Sequence, residues 1–196
     1  MTILLAVEDA PTEQIVRKCL SIVNPNIEIT GVLTKRGISH LYTRRNELNT
    51  SARQMQILLL IDLDNPNICP PQIRARWFPR GLSTGLMFRI AVVEVEAWLL
   101  ASRTELARYF RVSAALIPLG VEQIGDPKQH LINLARRSPD REKRSDIVPE
   151  NGSTAKIGRN YNGRLAAFIS NDWNMHEAAA NSPSLLKLVN SLSQLR

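Results

Sequence analysis

Apolar residues gather in short continuous runs in the first half of the chain and in helix-spaced stripes in the second. Ile3 to Val7 is an unbroken apolar run rich in branched residues, the pattern of a strand buried on both faces. Asp9-Ala10-Pro11-Thr12-Glu13 then reads as a helix start, with proline in the first turn and acids near the positive end of the dipole. Ile15, Val16, Cys19, Leu20 and Val23 share one face of that helix, and Asn24-Pro25-Asn26 ends it. Residues 27–33 alternate apolar and polar positions and predict a second strand. Strand, helix, strand within the first 33 residues is a βαβ unit, which implies parallel strands and a right-handed crossover.

Residues 35–55 are polar and basic and predict a loop centred on Gly37, followed by a short helix. Ile57 to Ile61, five consecutive Ile and Leu residues, is the strongest strand signal, and it runs into Asp62-Leu63-Asp64-Asn65-Pro66. Pro70 and Pro71 open a helix reaching about Trp77. A further strand spans Leu86 to Val93, Glu94 to Ala101 turns helical, and another helix covers 103–110. From about residue 112 the strand-like runs cease. Helix starts appear at Asp126-Pro127 and Ser182-Pro183, residues 138–162 lack periodicity, and 183–195 is amphipathic. The pattern predicts an α/β core over residues 1–111, with a mostly parallel sheet flanked by helices. A mainly helical extension over 112–196 packs on it.

Acidic residues follow the predicted strands. Glu8 follows the first, Asp62 and Asp64 the strongest, and Glu94 and Glu96 lie where the last gives way to a helix. In an open parallel sheet, ligands bind just beyond the carboxyl ends of the strands. Asp62 and Asp64 are two residues apart and share a face wherever strand geometry persists. Each acid alone has an ordinary reading: a cap or surface acid for Glu8, an acidic loop for the pair, a structural role for Glu94. Together they form a cluster whose mutual repulsion a divalent cation would relieve.

Composition narrows the class. Lys and Arg outnumber Asp and Glu by 25 to 18, a net charge of +7 that favours a polyanionic partner without requiring one. Arg36, Arg44, Arg45, Arg74, Arg76 and Arg89 are candidates for a basic rim, or simply a solvated face. Two cysteines without CxxC spacing suggest neither a disulfide framework nor a thiolate zinc site. His40, His130 and His176 share no ligand spacing. No window suits a membrane span or signal segment, so the expectation is a soluble cytoplasmic protein. Aromatic residues make up only 5% of the chain, which disfavours a stacking platform for single strands and leaves Phe88 and Trp98 to the core.

The segments AVED, LLLIDLD and VEVEAWLLA resemble the Toprim fold, a Rossmann-like sheet shared by topoisomerases, primases and OLD-type nucleases. More narrowly, they resemble small bacterial Toprim-like proteins encoded beside ABC-type ATPases in presumed anti-phage loci. The resemblance extends through DPKQHLINLARRS and GSTAKIGRNYNGRLA. It implies that Glu8 acts as general base or acid and as a metal ligand, and that Asp62 and Asp64 hold Mg²⁺ or Mn²⁺. Glu96 matches a further acid of several such nucleases. Asp9 departs from the pattern, which often has glycine there. No tyrosine domain or zinc module is present, which leaves nuclease among the family's activities.

Gly152-Ser153-Thr154-Ala155-Lys156-Ile157-Gly158 lacks the first glycine of a Walker A loop and no strand precedes it. By the same resemblance, Lys156 is the candidate for the lysine that OLD-type nucleases keep near their metals; an ordinary solvated loop is the competing reading. The expected partners are DNA or RNA and an ABC/OLD-type ATPase, with self-association into a homo-oligomer also open. A non-catalytic Toprim-like subunit and a phosphoesterase for small substrates are the alternatives.

Overall fold

The computed structural model describes residues 1–33, 37–63 and 68–195. Four strands form one parallel sheet: β1 (Thr2–Val7), β2 (Glu28–Leu33), β3 (Gln56–Asp62) and β4 (Leu86–Ala91), in the order β2-β1-β3-β4. Between them run α1 (Ala10–Val23), α2 (Gly37–Ser51) and α3 (Pro70–Trp77). The remaining helices are α4 (Val95–Ala101), α5 (Arg103–Phe110), α6 (Pro127–Arg137), α7 (Arg141–Ile147), α8 (Tyr161–Asn171), α9 (Met175–Asn181) and α10 (Pro183–Ser193). The architecture is Rossmann-like α/β, an all-parallel sheet flanked by helices.

The chain leaves β1 toward β2 and then crosses back over β1 to reach β3. Right-handed crossovers made in opposite directions place their helices on opposite faces of the sheet. The two buried clusters match. Leu5, Val7, Leu58 and Leu60 pack with α1, α4 and the later helices. Ala6, Ile57, Leu59 and Ile61 face Leu41, Leu48 and Trp77 of α2 and α3. Period-two alternation thus splits the apolar run of β3 between two cores, which is why it reads as continuous hydrophobicity. The residues beyond 112 build much of the first cluster, through Leu131, Phe168, Leu185 and Leu188, and share it with β1 and β3.

Trp98, fully buried, ties the extension to the core. Its indole Nε1 donates to Ser184 Oγ at 2.8 Å, and its carbonyl accepts from Trp173 Nε1 at 3.0 Å. The structure differs from the sequence expectation at three places. α2 begins at Gly37 itself, which adopts φ +68. β4 ends at Ala91, and Val92 and Val93 form a turn. The aperiodic stretch contains α7, which buries only Ile147 and is held by its Asp140 cap and by ion pairs of Lys143 with Asp140 and of Arg164 with Glu142 and Asp146. A helix stabilised by charge carries no apolar stripe.

Gly85 fixes the approach of α2 to β4. Its N–H donates to Ala52 O at 3.1 Å and its carbonyl accepts from Ile57 N at 2.9 Å, while a Cβ would stand 2.3 Å from Ala52 O. Gly85→Ala is therefore expected to destabilise the fold by about 1–3 kcal/mol. Gly125→Ala, which meets nothing within 4 Å, should change it by no more than about 0.5 kcal/mol. Urea denaturation of the two variants checks the contrast.

Candidate functional site

The reversal in strand order falls between β1 and β3, and the crevice beyond their carboxyl ends is where such sheets bind ligands. Glu8 and Asp62 stand there. Glu8 Oε1 accepts a hydrogen bond from the backbone N–H of Asp62 at 2.8 Å, bridging the two strand ends. Asp62 Oδ1 in turn accepts from Val95 N at 3.1 Å, satisfying an orphan amide at the start of α4. Glu94 is the N-cap residue of α4, and its Oε2 accepts from Lys128 N at 3.3 Å, in the first turn of α6. Each carboxylate thus links the terminus of one element to that of another. Asp64, the second acid of the predicted pair, lies outside the described residues, as does Arg36.

Glu96 sits deeper. Its Oε1 accepts from the buried Tyr161 hydroxyl at 3.0 Å, and Lys128 Nζ approaches the same oxygen at 3.4 Å and Glu94 Oε1 at 3.9 Å. Burial pushes the Glu96 carboxyl above the usual carboxylate range; Lys128 and the tyrosine hydroxyl offset part of this, and the Glu94 charge adds to it. Burial opposes the charge on Lys128, but Glu96 and Glu94, with Asp62 beyond them, outweigh it and hold its pKa above that of an ordinary lysine. Burial and the facing Glu96 raise the Tyr161 phenol far above its usual value, so it stays a hydrogen-bond donor. Glu96 is in this way already compensated by a cation and a hydroxyl.

The turn that delivers Glu94 is strained. Val93 has φ +65 and is buried, and a β-branched residue is a rare occupant of that region. Such a conformation costs about 1–3 kcal/mol and persists only where its surroundings impose it. Here the bonds of Val92 N to Ser184 Oγ, Val95 N to Asp62 and Glu94 to Lys128 bracket the residue on both sides. Asp9, where the Toprim pattern often has glycine, caps α1, accepting from Thr12 N at 2.9 Å and Thr12 Oγ1 at 2.6 Å.

Glu8, Asp62, Glu94 and Glu96 therefore gather at one end of the sheet, with Lys128 against the last two. Lys156 is exposed between α7 and α8, whereas the lysine paired with Glu94 and Glu96 is Lys128. Gly158, from the same segment, serves close packing, since a Cβ there would meet Asp146 O at 2.3 Å. Lys128 and Tyr161 had no role in the sequence reading. The signals for them were the Pro127-Lys128 helix start and the tyrosine of NYNG, but only the packing of α6 on α4 and the bond of the Tyr161 hydroxyl to Glu96 show that they face acids.

The oxygen donors suit a hard cation such as Mg²⁺ in chemical type. Among the described residues, no three Asp, Glu, His or Cys side chains converge tightly enough to hold a metal ion. Glu8 meets the backbone amide of Asp62, and an ion that keeps most of its waters needs only one or two carboxylates directly. No described helix is long and apolar enough to cross a membrane. Comparison with protein-family models, with curated proteins and with solved structures finds no match in any of the three.

The raised pKa of Glu96 makes a signed prediction for metal-free protein. A carboxyl that holds its proton more tightly when folded contributes most below its unfolded pKa, about 4.3. That contribution is lost as pH rises through the folded value. The stability of the wild type relative to Glu96→Gln should thus decline from about pH 4.5 upward. Tyr161→Phe, by removing a donor to the carboxylate, should extend the decline to higher pH while leaving its onset unchanged. Thermal denaturation in EDTA across this range measures both, and a wild type gaining on Glu96→Gln with pH would show that Lys128 outweighs burial.

Proposed function

We propose that the chain is a Toprim-like, Mg²⁺- or Mn²⁺-dependent hydrolase of phosphodiester bonds in nucleic acid. The observation that carries this reading is the meeting of Glu8 and Asp62 at the strand-order reversal, with Glu94, Glu96 and Lys128 in the adjoining layer. Mg²⁺ or Mn²⁺, when bound there, supplies charge neutralisation for the phosphate oxygens. Glu8, oriented by the Asp62 amide, is placed to take the proton of an attacking water. Asp62, turned by its bond to Val95, contributes a carboxylate oxygen of fixed direction. Lys128, charged at neutral pH and in contact with the cluster, is the better placed of the two lysines to meet negative charge developing on the phosphate. The basic composition fits a polyanionic substrate. The resemblance to defence-associated Toprim-like proteins adds an effector role with an ABC/OLD-type ATPase partner.

One observation favours a second reading, a non-catalytic subunit that binds the ATPase or nucleic acid. Asp62 and Glu94 accept structural hydrogen bonds from helix starts, and those bonds would keep the acids in place without chemistry.

Cleavage of plasmid, single-stranded DNA and tRNA with and without Mn²⁺ separates the two. Asp62→Asn retains an oxygen for the Val95 amide, so it should fold yet lose cleavage, and Glu8→Gln and Asp64→Asn should behave alike. Lys128→Ala should lower the rate by about 10²–10³, with Lys156→Ala assayed beside it. Undiminished cleavage by Asp62→Asn removes the assignment, and metal-independent folding without any metal binding by calorimetry favours the binding subunit.

A further inference from the structure

A second feature of the molecule lies at the outer edge of the sheet. β4 pairs with β3 alone among the described residues, and its other edge opens into a cleft of about 450 Å³ walled by α3 and α10. That is within the usual size of small-ligand sites. Arg74, Arg89 and Lys187 line it, and none of them has a carboxylate partner among the described residues. Arg89 is half-buried and held by neutral acceptors: Nε donates to Ser191 Oγ at 3.0 Å, Nη2 also donates to Ser191, and Nη1 donates to Phe88 O at 3.1 Å. Burial and the like charge of Arg74 both lower its pKa. A cation taken partly out of water beside another cation is unfavourable unless something negative completes it.

Glu122, the acid in the lining, is engaged elsewhere. Its Oε1 accepts from Ser182 Oγ at 2.5 Å and Ser184 N at 2.8 Å, at the start of α10. Three cations against one carboxylate leave two positive charges, the complement of a phosphomonoester of about −1.5 to −2. Beside the polar Ser184, Asn190 and Ser191, the wall offers an apolar face of Pro70, Ile90, Val92 and Pro183, which suits a flat heterocycle better than a polyol. Arginine both pairs with phosphate through its planar fork and stacks on aromatic faces.

We propose that this cleft binds the phosphoryl group of a nucleotide at Arg74, Arg89 and Lys187, with the nucleoside against the apolar wall. The nucleotide is either free or part of a strand, because Val92 in the lining stands two residues before Glu94 and brings the cleft up to the acid rim. The site stands apart from the hydrolytic reading and is tested without divalent metal.

Binding of AMP, adenosine, inorganic phosphate and a short single-stranded oligonucleotide is measured by NMR titration in EDTA. AMP or the oligonucleotide should bind, with adenosine about tenfold weaker or more and inorganic phosphate competing. Arg74→Ala/Lys187→Ala, at two exposed positions, should weaken binding by about tenfold, while Arg136→Ala/Arg137→Ala on α6 should not. Binding of AMP assigns a free nucleotide, and binding of the oligonucleotide alone assigns a strand phosphate. In unmodified protein the shifted amides should be those of Phe88, Ile90 and Ser191. The proposal is overturned if neither AMP nor the oligonucleotide binds, if adenosine binds as well as AMP, if the shifts lie elsewhere, or if the α6 control weakens binding equally. It is also overturned if the Arg74/Lys187 variant self-associates with binding unchanged, since the cations would then only guard a strand edge.

Discussion

Carboxylate oxygens accepting backbone amides hold together the end of the sheet where a ligand would enter. Glu8 joins β1 to β3, Asp62 joins β3 to α4, and Glu94 joins α4 to α6. Strand ends and helix starts leave polar groups that must find partners once water is excluded. Acids serve them well, since a hydrogen bond to an ionised acceptor is shorter and stronger than a neutral one. The arrangement also concentrates negative charge, and the chain meets part of that cost with Lys128 and the Tyr161 hydroxyl. The hydrogen bonds of these acids tie the strand ends to the helix starts.

The strain at Val93 belongs to the same arrangement. An extended residue there would carry β4 onward and move Glu94 and the first amide of α4 away from Asp62. The left-handed turn stops the strand at Ala91 and starts the helix within reach. Ser184, which receives both Val92 N and the Trp98 indole, holds that turn from the side of α10. The helices beyond residue 112 therefore do more than cover the sheet: α6 brings the lysine, α8 the tyrosine, and α10 fastens the bend.

Charge is distributed unevenly. Acids gather where the strand order reverses, whereas Arg74, Arg89 and Lys187 gather at the open edge beyond β4. The acids are fixed by amides, and Arg89 by a serine and a carbonyl, so these side chains present their charge in a set direction. Preorganised groups of this kind lose little on meeting a ligand.

Local information was enough for much of the fold. Continuous Ile and Leu runs announced β1 and β3, proline-led starts announced α1, α3, α6 and α10, and acids directly after strands pointed to the edge at which Glu8 and Asp62 meet. These features depend on neighbours a few residues away, so the chain alone determines them. Gly37 opening a helix, α7 without an apolar stripe, and the turn at Val92 and Val93 escaped, because long-range contacts override the local pattern there. Nothing in the local sequence ranks Lys128, in the first turn after Asp126-Pro127, above Lys156, in the glycine-bearing loop, as a partner for the acids. Only the packing of α6 onto α4 puts one against Glu94 and Glu96 and leaves the other in solvent. Which side chains share a site is a matter of distance through space, and that is settled only when the helices find their places on the sheet.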